Sequence, residues 1–199
     1  MKRLIWLVVG LVCATALQAE TQAERWNRFA DQVYQLHLKI ITAQPTRSEE
    51  STHAYEGDMA KNYTYRETQF FSVGSNKLLS KLRVDQSDPS KRYYLEANVL
   101  DSQGRVARDY IALYLPWAMS QPARTFISLH AYPGELHAFR QFNATGQRIL
   151  EICEGRLQGK KVMLLFEEAD LDKTPEASEA YRACFGGLPV QVGEFLNSQ

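Results

Sequence analysis

The sequence is poor in cysteine, in charge imbalance and in long apolar runs, and each shortage excludes something. Only three cysteines occur in 199 residues, and no two form a CxxC pair. Lys+Arg and Asp+Glu number 23 each, so no net charge points to nucleic acid or an anionic membrane. Beyond the N-terminal leader no segment has the roughly 20 apolar residues that a spanning helix needs. A glycine-rich phosphate loop, an HExxH helix and a GxSxG elbow are also missing, which lowers the case for several common enzyme classes. There is no internal repeat and no low-complexity segment. What is present, 45% apolar and 11% aromatic residues, belongs to a folded globular domain.

Residues 1–19 have the three parts of a secretory signal peptide. Lys2 and Arg3 form a basic start, Leu4 to Val12 an apolar stretch, and Ala14-Thr15-Ala16 or Leu17-Gln18-Ala19 a small-residue cleavage site. A retained signal anchor is the rival reading. A lipidated Cys13 is another, but Val12 stands where such signals carry a small residue. Residues 20–199 are then expected to form a single exported β-rich domain, periplasmic or secreted, with 21 basic and 23 acidic residues. Cleavage leaves Cys153 and Cys184, and an oxidising compartment favours joining them.

The segment that opens at Thr21, with Pro45 just beyond its end, reads as an amphipathic helix. Thr21 with Glu24 fits a capping box, and Trp26, Phe29, Ala30, Val33, His37 and Ile40 recur on one face. His37 is read as a satisfied, partly buried histidine. Residues 45–61 are polar and aperiodic, and read as a long acidic loop containing Glu49, Glu50, His53, Glu56 and Asp58. From residue 62 to 168 about eight short β-type runs alternate with turn residues. Short links demand antiparallel neighbours, so the fold class is mainly β (α+β): an antiparallel meander closing as an up-and-down barrel, or curling as a half-barrel around the helix. Thr174-Pro175 and Gly186-Gly187 bracket a short C-terminal helix, followed by a final strand or extended tail. Asn62 and Asn143 head glycosylation sequons, relevant in a eukaryotic source.

Turn chemistry sets the register, and register decides which side chains meet. Pairing Asp101 with Arg105 across a type I turn puts Asp109 on a core face with Tyr93, Leu95, Ala97 and Val99. Asp109 is therefore a catalytic candidate, since a buried carboxylate needs a partner or a proton. The opposite face, with Glu96, Arg108, Tyr110 and Tyr114, reads as solvated. In "HAYPGELHA", a two-residue Pro133-Gly134 loop sets His130 opposite His137. Pairing Asn143 with Gln147 then sets His137 opposite Cys153, with Tyr132, Glu135 and Glu151 on the same face.

That row supports three expectations: a zinc or copper site at His130 and His137 with a free Cys153, a Cys153 nucleophile with His137 as base, or a plain hairpin whose Cys153 is bonded to Cys184. A further strand, "YTYRETQFF", lines up Tyr63, Tyr65, Glu67, Gln69 and Phe71 on one face. Tyr63, Tyr65, Gln69 and Phe71 suit a wall for an apolar ligand, and Glu67 is the second catalytic candidate. The expected function is an exported ligand-binding or carrier protein for a small apolar or amphipathic molecule, with no cofactor and no nucleic acid. An enzyme of unassigned class in the same pocket is one alternative, and a structural or interaction module of the cell envelope is another.

Overall fold

The computed structural model describes residues 20–54, 63–115, 122–171 and 178–193. Residues 1–19, with Cys13, and Glu56, Asp58, Asn62 and Thr174-Pro175 lie outside the described residues. In chain order the elements are α1 (Gln22–Ala43), β1 (Thr46–Ala54), β2 (Thr64–Ser72), β3 (Leu78–Asp85), β4 (Arg92–Leu100) and β5 (Val106–Tyr114). Then come β6 (Pro122–Ala131), β7 (Glu135–Asn143), β8 (Arg148–Leu157), β9 (Lys160–Glu167), α2 (Glu168–Leu171) and α3 (Glu179–Phe185). All nine strands form one antiparallel sheet in sequence order. The expected meander is present, and it stays open: β1 and β9 are its two edges.

Helix α1 starts where the sequence says it should. The Thr21 hydroxyl accepts from the Glu24 N–H, and the Glu24 carboxylate accepts from the Thr21 N–H. Its buried stripe, Phe29, Ala30, Val33, Leu36 and His37, packs on one face of β3 to β6. Each fully buried Phe, Val or Leu there contributes about 1.5–3 kcal/mol. The helix lies over Leu95, Ala97, Tyr110, Ala112, Ile127 and Leu129.

Residues 46–54 correct the expected acidic loop. They form β1, paired with β2 from Thr46↔Ser72 to Ala54↔Thr64. Nearly every β1 residue is exposed, so no alternation of apolar and polar residues marks the strand. Its backbone ladder and a few side-chain contacts, such as His53 on Tyr65 and Arg47 over Phe71, hold it. Helix α3 is also shorter than expected: Ser178, not Thr174, caps it, by accepting from the Tyr181 N–H. The described part of the following segment is not a strand, and buries Leu188 and Val192 in the core.

Two hairpins share one construction. In each, the turn closes as expected: the Asp101 N–H donates to Arg105 O at 2.8 Å, and the Asn143 N–H to Gln147 O at 2.9 Å. Gly104 and Gly146 adopt the positive φ, 73° and 85°, that such turns need. The side chains of Asp101 and Asn143 accept two turn N–H groups each. Two residues past each turn an extra residue, Ala107 or Ile149, breaks the ladder. Leu100 faces Val106 but Val99 faces Arg108, and Phe142 faces Arg148 but Gln141 faces Leu150. Such a bulge exchanges the two faces of everything beyond it.

The consequences correct the expected faces. Tyr110 and Tyr114 turn inward and are buried, while Asp109 leaves the core face for the opposite one, paired with Asn98. Glu151 and Cys153 move the other way, into the core. Cys153 is bonded to Cys184, which ties α3 to β8. Beside it Glu151 receives Arg140 Nε at 2.5 Å, the Tyr181 hydroxyl at 2.9 Å and Arg148 at 3.2 Å. Arg140 also donates to the carbonyls of Leu188 and Pro189, both at 2.8 Å. A buried charge pair is tolerable only when its remaining donors and acceptors are occupied, as these are. Disulfide and ion pair thus fasten the same C-terminal segment to the sheet.

Candidate functional site

The helix-free face of β5, β6 and β7 holds a chain of three titratable side chains. Asp109 on β5 pairs with Ser128, and His130 stands two residues further along β6. The Pro133-Gly134 turn is wider than two residues: the Leu136 N–H donates to Pro133 O, and Gly134 has φ of 63°. His130 therefore faces Phe139 rather than His137. A slip of two residues keeps the face, so both histidines remain together as diagonal neighbours. Their rings are stacked, 5.3 Å apart and 9° from parallel.

Hydrogen bonds order this chain. Asp109 Oδ2 lies 2.6 Å from His130 Nε2, and a carboxylate only accepts, so His130 carries its proton on Nε2. The other Asp109 oxygen accepts from the Ser128 hydroxyl at 3.0 Å, which in turn accepts from Gln141 at 3.1 Å. Neutral His130 then offers a bare Nδ1 to His137 Nε2, 3.0 Å away. His137 is left with Nδ1 as its free acceptor. Burial, and then the proximity of His130, hold the His137 pKa below the ordinary 6.5. Tyr132 stacks on His137 at 4.8 Å, and Arg105 lies 4.2 Å over Tyr132. A cleft of about 490 Å³ opens at Asp109 and His130, and another of about 990 Å³ at His137, Glu154 and Arg156, with Tyr132 and Arg105 lining both. The arrangement can accept a proton at His137, whose ring is held in place by His130 and, through it, by Asp109.

Cys153 is not a third partner of this pair. The bulge at Ile149 sets it opposite Ala138, on the other face, and its sulfur is bonded to Cys184. His137 faces Glu154 instead. Both expectations that needed a free Cys153 are overturned by that bond. Among the described residues no three His, Cys, Asp or Glu side chains converge to hold a metal ion.

Glu67 is buried on β2, with Gln69 donating to one oxygen at 2.5 Å and Arg83 to the other at 2.7 Å. Burial raises its pKa, but the bonds from Gln69 and Arg83 outweigh that and leave it below the usual carboxylate range. Tyr65 is stacked on His53 at 5.3 Å, with Arg83 5.1 Å from its ring. Phe71 lies beneath Arg47 at 4.3 Å, and Tyr63 stands edge-on to Tyr93 at 6.5 Å. The strand residues of this expected wall, Tyr65, Gln69 and Phe71, share the helix-free face.

A different cavity lies on the helix-bearing side, and sequence reasoning missed it. Between the C-terminal half of α1 and the β4–β5 turn there is a cleft of about 820 Å³. Leu36, Ile40 and Ala43 of α1 form one wall, with Leu79, Val99 and Tyr110 of the sheet opposite. Lys39, Lys77 and Arg108 also line it. No single motif encodes this cleft, because α1 meets strands about 40 to 70 positions away in the chain. The buried Arg140–Glu151 pair was missed as well, although an arginine alternating with Leu136, Ala138 and Phe142 was its visible signal. The chain matches no known protein-family model, no curated protein and no solved structure.

Proposed function

We propose that this chain is an exported carrier or ligand-binding protein for a small amphipathic molecule with an anionic head, seated between α1 and the sheet. The cleft of about 820 Å³ beneath α1 carries this reading. Its size is that of a site for a single small ligand. Aliphatic walls suit an apolar tail, and Lys39, Lys77 and Arg108 suit a carboxylate or phosphate at the mouth. Export is supported by the leader-like residues 1–19 and is compatible with the Cys153–Cys184 disulfide. Among the described residues no helix is long and apolar enough to cross a membrane.

The test is displacement of a dansyl-labelled fatty acid by unlabelled fatty acids of decreasing length. Each methylene lost weakens binding about fourfold, from about 0.8 kcal/mol per buried CH₂. The matching alcohol competes less well, and Ala43→Trp, which fills the cleft, abolishes saturable binding. Tyr65→Ala, on the opposite face, leaves it unchanged. No saturable binding, or no effect of Ala43→Trp, removes this reading.

A second reading, an enzyme of unassigned class, rests on the Asp109–His130–His137 chain. His137 Nδ1 takes a proton from a water or hydroxyl in the adjacent cleft, and Asp109 and His130 orient it. Hydrolysis of a panel of p-nitrophenyl esters, compared with His137→Gln, tests this. Equal rates for the two proteins leave the carrier alone.

A further inference from the structure

The two edges of the sheet differ. An edge strand offers a row of backbone N–H and C=O groups to any passing strand, and proteins blunt such edges with charge. β1 is blunted: Arg47, Glu49 and Glu50 stand along it, and almost all its residues are exposed. β9 is not. Among the described residues it pairs only with β8, and it presents Met163 and Leu165 to solvent, 58% and 53% exposed. Leu165 continues an apolar surface, since it pairs with Ile152, while Met163 pairs with Glu154.

The β9 sequence is complementary to itself. It begins with Lys160-Lys161 and ends with Glu167-Glu168, with "VMLLF" between. Running antiparallel to a second copy, it brings basic end onto acidic end, while a parallel arrangement would oppose like charges. A two-fold axis through Leu164 sets Lys161 against the partner's Glu167 and Met163 against the partner's Leu165. Every such pair joins residues of the same face, because directly opposed residues on antiparallel strands share a side. The pairing also satisfies the isologous rule that whatever one copy contacts, the other contacts in return.

We propose that the protein forms a two-fold dimer by antiparallel β9–β9 pairing, which joins the two sheets into one. Sedimentation velocity on the disulfide-bonded protein, across a concentration series from low to high micromolar, tests it. The expected result is a monomer–dimer equilibrium. Lys161→Glu and Glu167→Lys each oppose like charges twice per dimer and raise the Kd at least about tenfold, while the double variant restores it. Leu165→Lys gives a monomer. All three substituted side chains are exposed, and circular dichroism confirms that each variant is folded. A monomer at every concentration overturns the proposal and leaves the edge to another partner. A dimer indifferent to these substitutions, or a double variant as weak as the singles, overturns it too.

Discussion

Lowering the pH should loosen α1 from the sheet through one residue, His37. Its Nδ1 lies 2.7 Å from the Ser80 hydroxyl, which itself donates to Glu96 O at 2.6 Å. The hydroxyl has one proton, so His37 donates from Nδ1, and its Nε2 is the atom that would be protonated. The ring is buried against Phe70 and Tyr34, and burial holds its pKa to about 4 against an ordinary 6.5. The unfolded chain takes up the proton below about pH 6.5, but the folded protein does so only near pH 4.

Stability from a neutral His37 is therefore complete above about pH 6.5 and falls about 1.4 kcal/mol per pH unit below it, levelling off near pH 4. By about pH 5 the loss is about 2 kcal/mol. Urea unfolding followed by tryptophan fluorescence, from about pH 7 to about pH 5, measures it, and staying above the carboxylate range excludes Asp and Glu. His137 also has a lowered pKa, so the informative quantity is the difference from His37→Leu, which keeps the Ser80–Glu96 bond. Wild type should lose about 2 kcal/mol more than the variant over that range. Parallel losses, or an NMR titration of His37 near 6.5, would refute the reasoning.

Other substitutions probe the remaining contacts. Replacing Cys153 and Cys184 together by alanine should cost about 3–4 kcal/mol, from the chain entropy of a loop spanning a separation of 31, read by denaturant midpoint. Arg140→Met strands a buried Glu151 carboxylate and should cost about 3–5 kcal/mol, whereas the paired change Arg140→Met with Glu151→Leu should recover much of it. Gly155→Ala should be destabilising by at least the 1–3 kcal/mol of a strained backbone, since φ is 134° and a Cβ would meet Glu135 O at 2.2 Å; a neutral thermal shift would contradict this. His130→Gln removes the second imidazole, whose proximity helps to hold the His137 pKa down, so the His137 pKa should rise, as an NMR titration of its ring protons would show.

Elements carried by periodicity and caps were legible. The α1 stripe and capping box, eight of the nine strands and the disulfide all follow from local pattern or compartment logic. β1 was not, because an edge strand exposed on both faces has no apolar alternation to read. The turns Asp101–Gly104 and Asn143–Gly146 were read correctly down to their closing pairs.

Apart from β1 and the width of the Pro133-Gly134 turn, local sequence therefore determined the elements, the turns between them and the meander order, since each depends on residues within a few positions of one another. Tertiary structure decided which face of the sheet Asp109, Glu151 and Cys153 occupy. Ala107 and Ile149 carry no mark in the sequence of the bulges they form. One moves Asp109 out of the core to His130; the other moves Glu151 and Cys153 into it, to Arg140 and Cys184. A strand has a period of two, so one extra residue is enough to exchange the chemistry of its two faces.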